Sequence, residues 1–521
     1  MQTIYYEGTV VTMTGERATA LVTEDDRITA VGEERALLAQ YKEARRVSLA
    51  GGALLPGFVD AHSHFSQVAA GFTQVSLAGV SSVEEMTRRL RDYGLSHPKQ
   101  KWITARDYDN NLLPEYGHPT RAQLDDMTDG RPLSLQHQSG HMGLFNTAAL
   151  EALGITAATG DPAGGRIGRE DGVLTGLLEE NAFFDAQKKV PLPGPDTLLE
   201  AYRQAQRLYA SYGITTVQEG MLTKEMLPMY DLLLSSGLLR LDLVAYPDRS
   251  AFAQAWDTYP QRRYEHHFRL GGLKIFLDGS PQVRTAWLRR PYEGSEDRGY
   301  GTMTDEAVKE AMETAAEHRV QLLAHCNGDA AAAQFLTCLA SAEEEWPQLR
   351  ELRPVMIHAQ LLGLDQIETA RDLGAVASFF VAHTYHWGDV HLRNLGEERA
   401  SRISPAASAL KAGLPFTFHQ DAPVIQPDML ETVWCAVNRR TKAGRALMPE
   451  ERLPVEEALR AVTRYAAWQY GEEGDKGTLS PGKRADLVIL GKDPRTADPE
   501  ELRDIPVLAT VKDGETVYTR E

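Results

Sequence analysis

Between residues 55 and 474 the chain alternates short apolar runs with longer amphipathic segments. Runs of four to eight apolar residues are typical of buried strands, and longer amphipathic segments are typical of helices. The clearest helix begins at Thr304-Asp305-Glu306 and extends to about His318, with acidic residues where the helix dipole favours them. Eight apolar runs are predicted to be strands of one parallel sheet: Gly57–Ala61, Thr215–Gln218, Leu241–Tyr246, Leu273–Leu277, Leu322–His325, Val355–His358, Val376–Phe380 and Phe416–His419. This alternation predicts an α/β fold, a TIM-like (β/α)8 barrel.

Both ends of the chain show strand patterns separated by turn signals instead. Near the N-terminus, Thr9–Met13 and Ala20–Thr23 are rich in residues that favour strands. Near the C-terminus, Val507–Lys512 and Glu515–Tyr518 flank Asp513-Gly514, which is a hairpin signal. The two ends therefore resemble pieces of the same kind of β structure.

These patterns divide the chain into domains. Chain termini often lie close together, so we expect residues 1–54 and 475–521 to form one small β-sandwich domain. Residues 55–474 are then the barrel. The long gap after the first barrel strand, about residues 66–195, is predicted to be an insertion on the loop above the active-site face.

The composition narrows the classes of partner. Hydrophobic residues make up 42% and charged residues 25% of the 521, with a formal net charge of -18. Such an acidic chain repels nucleic acid and anionic membranes, so neither is expected as a partner. No apolar stretch is long enough to span a bilayer, and the N-terminus lacks the basic and apolar regions of a signal peptide. Three widely spaced cysteines form no disulfide framework, which predicts a reducing cytoplasm.

The first barrel strand carries the strongest chemical signal. Leu55–Phe65 reads LPGFVDAHSHF, so that the apolar run ends in His62-Ser63-His64. Residues two apart on an extended backbone point the same way, and barrel active sites lie at the carboxyl ends of the strands. Two neutral imidazoles on one point predict a divalent-metal site. Two polar residues at the exit of a strand are the alternative.

Three later predicted strands deliver the same types of ligand at their carboxyl ends. The fifth ends in His325, the sixth ends in His358, and the eighth is followed by Asp421. One histidine at the end of a strand is more often structural. Four strand ends carrying metal-ligand residues at the same edge favour a metal centre.

Lys274 lies inside the otherwise apolar strand Leu273–Leu277, and two interpretations of it are open. It can extend from the edge of the strand to solvent. It can also point into the mouth of the barrel, where a desolvated lysine near cations loses its proton readily. A neutral amine there could react with carbon dioxide to form a carbamate that bridges two metals.

Several longer motifs add a family resemblance that covers nearly the full length of the chain. They are LPGFVDAHSH (55–64), GHMGLFNTAAL (Gly140–Leu150), DPAGGRIGREDGVLTGLLEENA (Asp161–Ala182), LKIFLDGS (Leu273–Ser280), AHCNGDAA (Ala324–Ala331), IHAQ (Ile357–Gln360), QDAPV (Gln420–Val424) and GTLSPGKRADLVIL (Gly477–Leu490). With these motifs the chain resembles the amidohydrolase superfamily. Within that superfamily it is similar to the amidohydrolase family 3 group, which includes N-substituted formamide deformylases.

The resemblance implies a binuclear site. The implied metal ligands are His62, His64, Lys274, His325, His358 and Asp421. Lys274 would be carboxylated and bridge two metals, of which His62 and His64 hold the more buried one. Asp421 would also serve as general base and then general acid. One or two divalent cations per chain are implied, with zinc expected, and iron or manganese would also suit the ligands.

Five further residues are candidates for contact with the substrate: His141, Glu179, His383, His386 and His419. The resemblance implies that His141 donates a hydrogen bond to the developing oxyanion. His383 and His386 could instead lie on the surface. Glu179 and Glu180 could instead lie on a solvated face of a helix. His419 stands where relatives carry a smaller residue, and two interpretations are open: it could add a ligand, or it could fill substrate space. Asn327 is a second departure from the family pattern.

The predicted function is hydrolysis of an amide-like C–N bond of an N-acyl or N-formyl amine by a metal-activated hydroxide. Two alternatives remain: deamination of a ring amine at the same site, and a non-catalytic binding protein that keeps the barrel. The complete set of ligands argues against the binding protein. A small-molecule substrate is expected, and the family resemblance implies a homodimer.

Overall fold

The structure is a computed structural model that describes residues 1–98, 100–113, 117–137, 142–162, 165–191 and 193–521. Its strands, in chain order, are β1 (Gln2–Tyr6), β2 (Thr9–Val11), β3 (Arg17–Ala18), β4 (Ala20–Glu24), β5 (Arg27–Gly32), β6 (Arg45–Ser48), β7 (Ala53–Pro56), β8 (Phe58–Val59), β9 (Val75–Ser76), β10 (Ile103–Tyr108), β11 (Leu133–His137), β12 (Met142–Phe145), β13 (Gly165–Glu170), β14 (Val173–Glu180), β15 (Ile214–Leu222), β16 (Asp242–Pro247), β17 (Phe268–Leu270), β18 (Gly272–Phe276), β19 (Gln321–Cys326), β20 (Val355–His358), β21 (Val376–Phe379), β22 (Phe416–Phe418), β23 (Leu487–Leu490), β24 (Val507–Lys512) and β25 (Glu515–Thr519).

The α-helices are α1 (Glu34–Gln40), α2 (Phe65–Gly71), α3 (Val83–Ser96), α4 (Arg121–Met127), α5 (Thr147–Ala152), α6 (Asn181–Gln187), α7 (Pro195–Ser211), α8 (Leu227–Ser235), α9 (Phe252–Thr258), α10 (Asp305–His318), α11 (Asp329–Glu345), α12 (Leu364–Asp372), α13 (His383–His386), α14 (Gly388–Leu395), α15 (Glu397–Ser401), α16 (Ala406–Ala412), α17 (Met429–Asn438), α18 (Val455–Ala461) and α19 (Arg464–Gln469). Among the described residues, no helix combines the length and the apolar character needed to cross a bilayer.

The chain divides into two compact units. Unit 1 comprises Met1–Ser66 and Ala205–Glu521, and unit 2 comprises Gln67–Gln204. Unit 2 covers nearly the same residues as the predicted insertion. Its six-stranded sheet has the order β13-β14-β12-β11-β10-β9 and packs on its own apolar cluster, which includes Leu90, Ile103 and Leu133.

Two parallel sheets in unit 1 contain all eight strands predicted for the α/β region. One has the order β17-β16-β15-β8, and the other has the order β18-β19-β20-β21-β22. A parallel bridge between Asp248 and Lys274 links the two sheets at one side. The backbone N–H of His64 donates to the carbonyl of Ala422 at 2.8 Å and links the segments that follow β8 and β22. The α/β fold is therefore confirmed.

Helix α10 shows how local sequence sets these elements. The side chain of Thr304 accepts a hydrogen bond from the backbone N–H of Ala307, and Asp305 and Glu306 follow in the first turn. Arg319 adopts a left-handed conformation and ends the helix. The next residues turn directly into β19, as the sequence predicts.

Strands from both chain ends share one sheet. Its order is β25-β24-β23-β7-β2-β3, and β7 pairs antiparallel with β23 from Ala53 opposite Leu490 to Pro56 opposite Leu487. The other N-terminal sheet has the order β5-β4-β1-β6. The shared sheet therefore includes Pro56, two residues beyond the predicted domain boundary at 54.

The run Gly57–Ala61, predicted as one strand, is shorter in the structure. Only Phe58–Val59 pairs with the parallel sheet, while the preceding Ala53–Pro56 belongs to the terminal sheet. Gly57 is the junction: its N–H donates to Asp486 O at 2.8 Å, and a Cβ there would lie 2.5 Å from the side chain of Thr215. The apolar pattern runs on across the junction because both strands are buried, so periodicity alone cannot separate them.

Candidate metal centre

His62 and His64 follow β8 and lie in the chain that leads from this strand to α2. Their ring centroids are 5.1 Å apart, so the predicted convergence of the two imidazoles is present. The pleat of a strand does not produce it, since β8 ends at Val59. His64 forms an isolated bridge with Glu219 of β15, and Nδ1 of His62 lies 2.6 Å from Oε1 of Gln218 on the same strand. Neighbouring β15 thus positions both rings.

Asp421 follows β22 and completes a three-residue group. Its Oδ1 lies 3.5 Å from Nε2 of His62 and 3.3 Å from Nε2 of His64. One ligand atom from each of these residues lies within 4.8 Å of the other two. The backbone of Asp421 has a φ of 55°, in the left-handed region, which an aspartate adopts more easily than most residues. The chain therefore turns sharply to bring this carboxylate to the two histidines.

His358, His325 and Lys274 lie around this group. Nε2 of His358 is 3.9 Å from Oδ2 of Asp421, and its ring centroid is 4.6 Å from that of His325. Nε2 of His325, however, contacts Nδ2 of Asn327 at 3.0 Å and the carbonyl of Gly279 at 3.3 Å. Lys274 is buried, with Nζ 4.9 Å from the ring centroid of Phe276. Lys274 therefore does not extend to solvent.

Buried polar atoms without hydrogen-bond partners show that the residues present fit a cation. In the described part of the chain these atoms include Nδ1 of His64, Nζ of Lys274 and Oδ1 of Asp421. Each such atom costs about 1–3 kcal/mol, which a cluster built only for stability would avoid. Two imidazoles and a carboxylate are donors that zinc, iron and manganese accept. The group therefore fits a divalent metal.

The protonation states of His62 and Lys274 agree with metal binding, whereas His64 has to release a proton before it can bind a metal. Burial, reinforced by Lys274, holds the pKa of the His62 imidazole well below its usual value, so the ring is neutral and able to bind a metal. Burial also lowers the pKa of the Lys274 amine to about 7, and Asp421 offsets this only in part. Burial lowers the pKa of His64, but Asp421 and Glu219 outweigh it and raise the value to about 9.

Three of the candidate substrate residues contact partners of their own in the described part of the chain. His383 is buried, with Nδ1 3.0 Å from Nε2 of His391, and His386 contacts Glu431 at 2.7 Å. Oε2 of Glu179 lies 3.6 Å from Nε of Arg166 within unit 2. His141 lies outside the described residues. The roles of these residues stay predictions.

His419 is fully buried and does not lie on a free surface of the site. Its Nε2 is 3.1 Å from Nδ1 of His358, and its Nδ1 is 2.8 Å from Oγ of Ser378. Its ring centroid lies 5.3 Å from that of His62. His419 therefore contacts the predicted ligand His358 at Nδ1, the ring nitrogen that faces away from Asp421.

Sequence reasoning missed two site residues in the middle of β15, Gln218 and Glu219. Both are buried, and Glu219 accepts hydrogen bonds from the backbone N–H of Ser66 at 2.8 Å and from the hydroxyl of Tyr230 at 2.8 Å. Glu219 also lies 3.8 Å from Nδ1 of His64. The signal was the polar pair in TTVQEG, which coincides with the end of the predicted strand Thr215–Gln218 although β15 continues to Leu222.

A second group of metal-ligand types occurs in unit 1 at Asp242, His267 and Asp513. Lysines already occupy its centre. Nζ of Lys476 lies 2.6 Å and Nζ of Lys512 lies 2.9 Å from Oδ2 of Asp242. With these ammonium groups in place, this group is an ion-pair cluster and does not offer a cation site.

Comparisons with known proteins identify the family and the fold of the chain. A model of the amidohydrolase family matches residues 45–518. The YtcJ protein of Bacillus subtilis (strain 168) is 27% identical over 556 residues, covering 100% of each chain. The N-substituted formamide deformylase of Arthrobacter pascens is 27% identical over 520 residues, covering 96% of this chain and 95% of that protein. A crystal structure of a metal-dependent hydrolase from Pyrococcus furiosus matches with a TM-score of 0.80 at 24% identity, covering 95% of this chain and 100% of that one. At this identity the match shows a shared fold.

Proposed function

Since the chain belongs to the amidohydrolase family and is a hydrolase of carbon–nitrogen bonds, we propose that it cleaves the amide-like bond of an N-acyl or N-formyl amine by metal-assisted hydrolysis. The observation that carries this proposal is the convergence of His62, His64 and Asp421 within 4.8 Å, with unpaired polar atoms among them. The substrate class takes further support from the similarity to the formamide deformylase.

His62, His64 and Asp421 would hold the first metal, and His358 stands 3.9 Å from the same carboxylate. A second metal would be held by His325, His358 and a carboxylated Lys274. For this, His325 would have to leave its contacts with Asn327 and Gly279. A bound divalent cation supplies Lewis-acid chemistry there: it lowers the pKa of a water and polarises a carbonyl oxygen.

Asp421 performs the proton transfers of the proposed reaction. Its carboxylate accepts the proton of the attacking water and then delivers it to the nitrogen that leaves. Burial raises the pKa of this carboxyl group, but the nearby His64, His419 and Lys274 outweigh burial and lower it. Asp421 is therefore ionised and ready to accept a proton at neutral pH. His141 remains the predicted donor to the oxyanion.

The neutral form of Lys274 is what carboxylation needs. Because the pKa of this lysine is about 7, a substantial fraction of the amine is unprotonated at neutral pH. An unprotonated amine can attack carbon dioxide, and the adduct then releases one N–H proton to water to give an anionic carbamate whose oxygens can bind a metal. The unpaired Nζ leaves the amine available for that reaction.

The proposed architecture is a closed (β/α)8 barrel with a composite β-sandwich domain from both termini. The bridge between Asp248 and Lys274 and the hydrogen bond from His64 N to Ala422 O support closure of the two parallel sheets. Pairing of β7 with β23 supports the composite domain. Cytoplasmic location and a homodimer stay part of the proposal.

The test combines metal content with hydrolysis. Protein purified without chelators is analysed for metals, and its intact mass is measured under gentle conditions for added carbon dioxide on Lys274. A panel of N-formyl, N-acyl and ring amines is then assayed. We expect one or two metals per chain and turnover of an N-formyl or N-acyl amine.

The matched variants are Asp421→Asn and, as a control, Asp365→Asn, whose side chain is 69% exposed. Loss of the proton acceptor should lower kcat by about 10²–10⁴-fold, while the exposed change should leave kcat unaltered. Near-normal turnover by Asp421→Asn would overturn the mechanism. A protein that takes up no metal and turns over none of the panel would favour a binding protein instead.

A further inference from the structure

The two imidazoles that approach Asp421 from different strands are tied, through separate hydrogen-bond chains, to one backbone carbonyl. We propose that the Ala61 carbonyl, acting through Gln218 and through a relay that ends in His419, fixes which ring nitrogen of His62 and of His358 carries the hydrogen. Gln218 and His419 are then positioning residues. This inference rests on the proposed metal-assisted function.

The first hydrogen-bond chain is short, and only one assignment of donors and acceptors satisfies it. The amide of Gln218 donates from Nε2 to Ala61 O at 2.9 Å and to the hydroxyl of Tyr470 at 2.7 Å. That hydroxyl donates its own hydrogen to Asp60 O at 2.7 Å, so it can only accept from the glutamine. These contacts identify the amide nitrogen of Gln218 and therefore also its oxygen.

The oxygen of the Gln218 amide faces His62. An amide oxygen only accepts, so the contact of 2.6 Å between Oε1 and Nδ1 of His62 requires a hydrogen on Nδ1. Nε2 of His62 then carries a lone pair. This is the nitrogen that lies 3.5 Å from Oδ1 of Asp421. The first chain therefore presents the metal-binding nitrogen in its unprotonated form.

The second chain begins at the same carbonyl. Nε2 of Gln469, at the end of α19, donates to Ala61 O at 3.0 Å, which leaves its Oε1 as an acceptor. The single hydrogen of the Thr417 hydroxyl has two acceptors within reach: Oε1 of Gln469 at 2.7 Å and Oγ of Ser378 at 2.9 Å. The amide oxygen cannot donate, whereas the serine hydroxyl can. Thr417 therefore donates to Gln469, and Ser378 supplies the hydrogen between the two hydroxyls.

The direction of each later bond follows from this one. With its hydrogen directed at Thr417, Oγ of Ser378 accepts from Nδ1 of His419 at 2.8 Å. Nε2 of His419 then accepts from Nδ1 of His358 at 3.1 Å. Nε2 of His358 is left with a lone pair, and it is the nitrogen 3.9 Å from Oδ2 of Asp421. Both predicted ligands thus present the same nitrogen to the site.

Burial keeps this arrangement from being rearranged by solvent. The relay residues Gln218, Ser378, Thr417, His419 and Gln469 are each at most 1% exposed. A water molecule could otherwise donate to Nδ1 of His419 and reverse the whole chain. The partner on the far nitrogen of a ligating histidine sets its tautomer and its orientation, and losing such a partner typically weakens metal affinity about 10–100-fold.

The test uses two substitutions at Thr417 that separate hydrogen bonding from packing. Thr417→Val keeps the volume and removes the hydroxyl, whereas Thr417→Ser keeps the hydroxyl and removes a methyl group. In Thr417→Val, Ser378 loses its acceptor and turns its hydrogen to His419, which reverses the tautomer of His358. Affinity for Zn²⁺, measured by competition with a chelator, should fall about 10–100-fold in Thr417→Val, and Thr417→Ser should retain it.

A second measurement needs neither a variant nor a metal. In metal-free wild-type protein with ¹⁵N-labelled histidine, long-range ¹H–¹⁵N spectra report which ring nitrogen is protonated. We expect the hydrogen on Nδ1 of His62, His358 and His419. A hydrogen on Nε2 of His358 or of His62 would overturn the relay, as would equal loss of affinity in both Thr417 variants or no loss in Thr417→Val.

These outcomes are separable from failure of the proposed function. If wild-type protein binds no metal and hydrolyses nothing, the proposed function fails, while the spectra of the metal-free protein still decide the tautomers. If wild-type protein binds metal and turns over substrate but the tautomers differ from those expected, only the relay fails.

Discussion

Unit 1 contains two buried clusters of ionisable side chains, and they differ in whether the lysine in each cluster has an ion-pair partner. Around Asp242, Nζ of Lys512 lies 2.9 Å from Asp242, 3.1 Å from Asp486 and 3.0 Å from Asp513. At the candidate metal centre, Nζ of Lys274 is equally buried and has no hydrogen-bond partner. Pairing is what a stabilising cluster needs, because an unpaired buried charge is costly. The two clusters therefore differ in their lysines, because Lys512 is ion-paired and Lys274 has no ion-pair or hydrogen-bond partner.

Substitution of Lys512 should produce the largest change in stability. Lys512→Met leaves three carboxylates without this ammonium group in a buried position, so we expect a loss of about 3–5 kcal/mol in the free energy of unfolding. Urea denaturation measures it. The control is Lys492→Met, at an exposed pair with Glu501, for which about 0–1 kcal/mol is expected. Equal effects of the two substitutions would remove the distinction between the buried cluster and a surface pair.

Asp242→Asn should have a smaller effect that depends on pH. Burial raises the pKa of Asp242, but Lys476 and Lys512 outweigh burial and hold the pKa well below its usual value. A carboxyl group whose folded pKa is depressed stabilises the protein above its unfolded pKa, about 3.9, and the contribution is lost as pH falls through the folded pKa. We expect Asp242→Asn to cost about 1–3 kcal/mol at pH 7.

Urea denaturation at pH 7, 5 and 3 checks this dependence. The difference between wild type and Asp242→Asn should persist at pH 5 and decrease toward pH 3 and below. A difference that grows as the solution becomes acidic would contradict the assigned ion pairs.

Lys274→Met should change stability least. The amine has no hydrogen-bond partner to lose, and the substitution removes a polar group that burial disfavours. We therefore expect the free energy of unfolding to stay within about 1 kcal/mol of wild type or to rise, while metal content and hydrolysis fall. A loss as large as that of Lys512→Met would show that Lys274 is a structural cation.

The sequence predicted those site residues that are of a metal-binding type and also follow an apolar strand. His62, His64 and Asp421 each follow an apolar strand, and parallel strands place their carboxyl ends at one edge. His419 also stands at the end of a predicted strand and was considered as an added ligand or as a residue that fills substrate space. Its position behind His358 was not predicted, because its contact with Ser378 depends on the register of β21 against β22.

The relay illustrates what local patterns cannot supply. Ala61, Gln218 and Gln469 lie far apart in the sequence, and each glutamine is one buried amide in an apolar segment. The two glutamines share the carbonyl of Ala61 as an acceptor only because β15 and α19 both pack beside that residue in the folded chain. The split of Leu55–Val59 at Gly57 was hidden for a related reason: both halves are fully buried, so neither polarity nor spacing changes at the junction.

The pairing of β7 with β23 also affects when the protein can become active during its synthesis. Ala53 pairs with Leu490, and His62 lies only six residues after the end of β7 at Pro56. At about 5–20 residues per second, a ribosome needs roughly 20–90 s to extend the chain from the first of these strands to the second. Until then the segment that leads into the predicted ligands His62 and His64 lacks its β23 partner. A nascent chain that stops short of β23 would therefore emerge without an anchored site, however much of the α/β region has already folded.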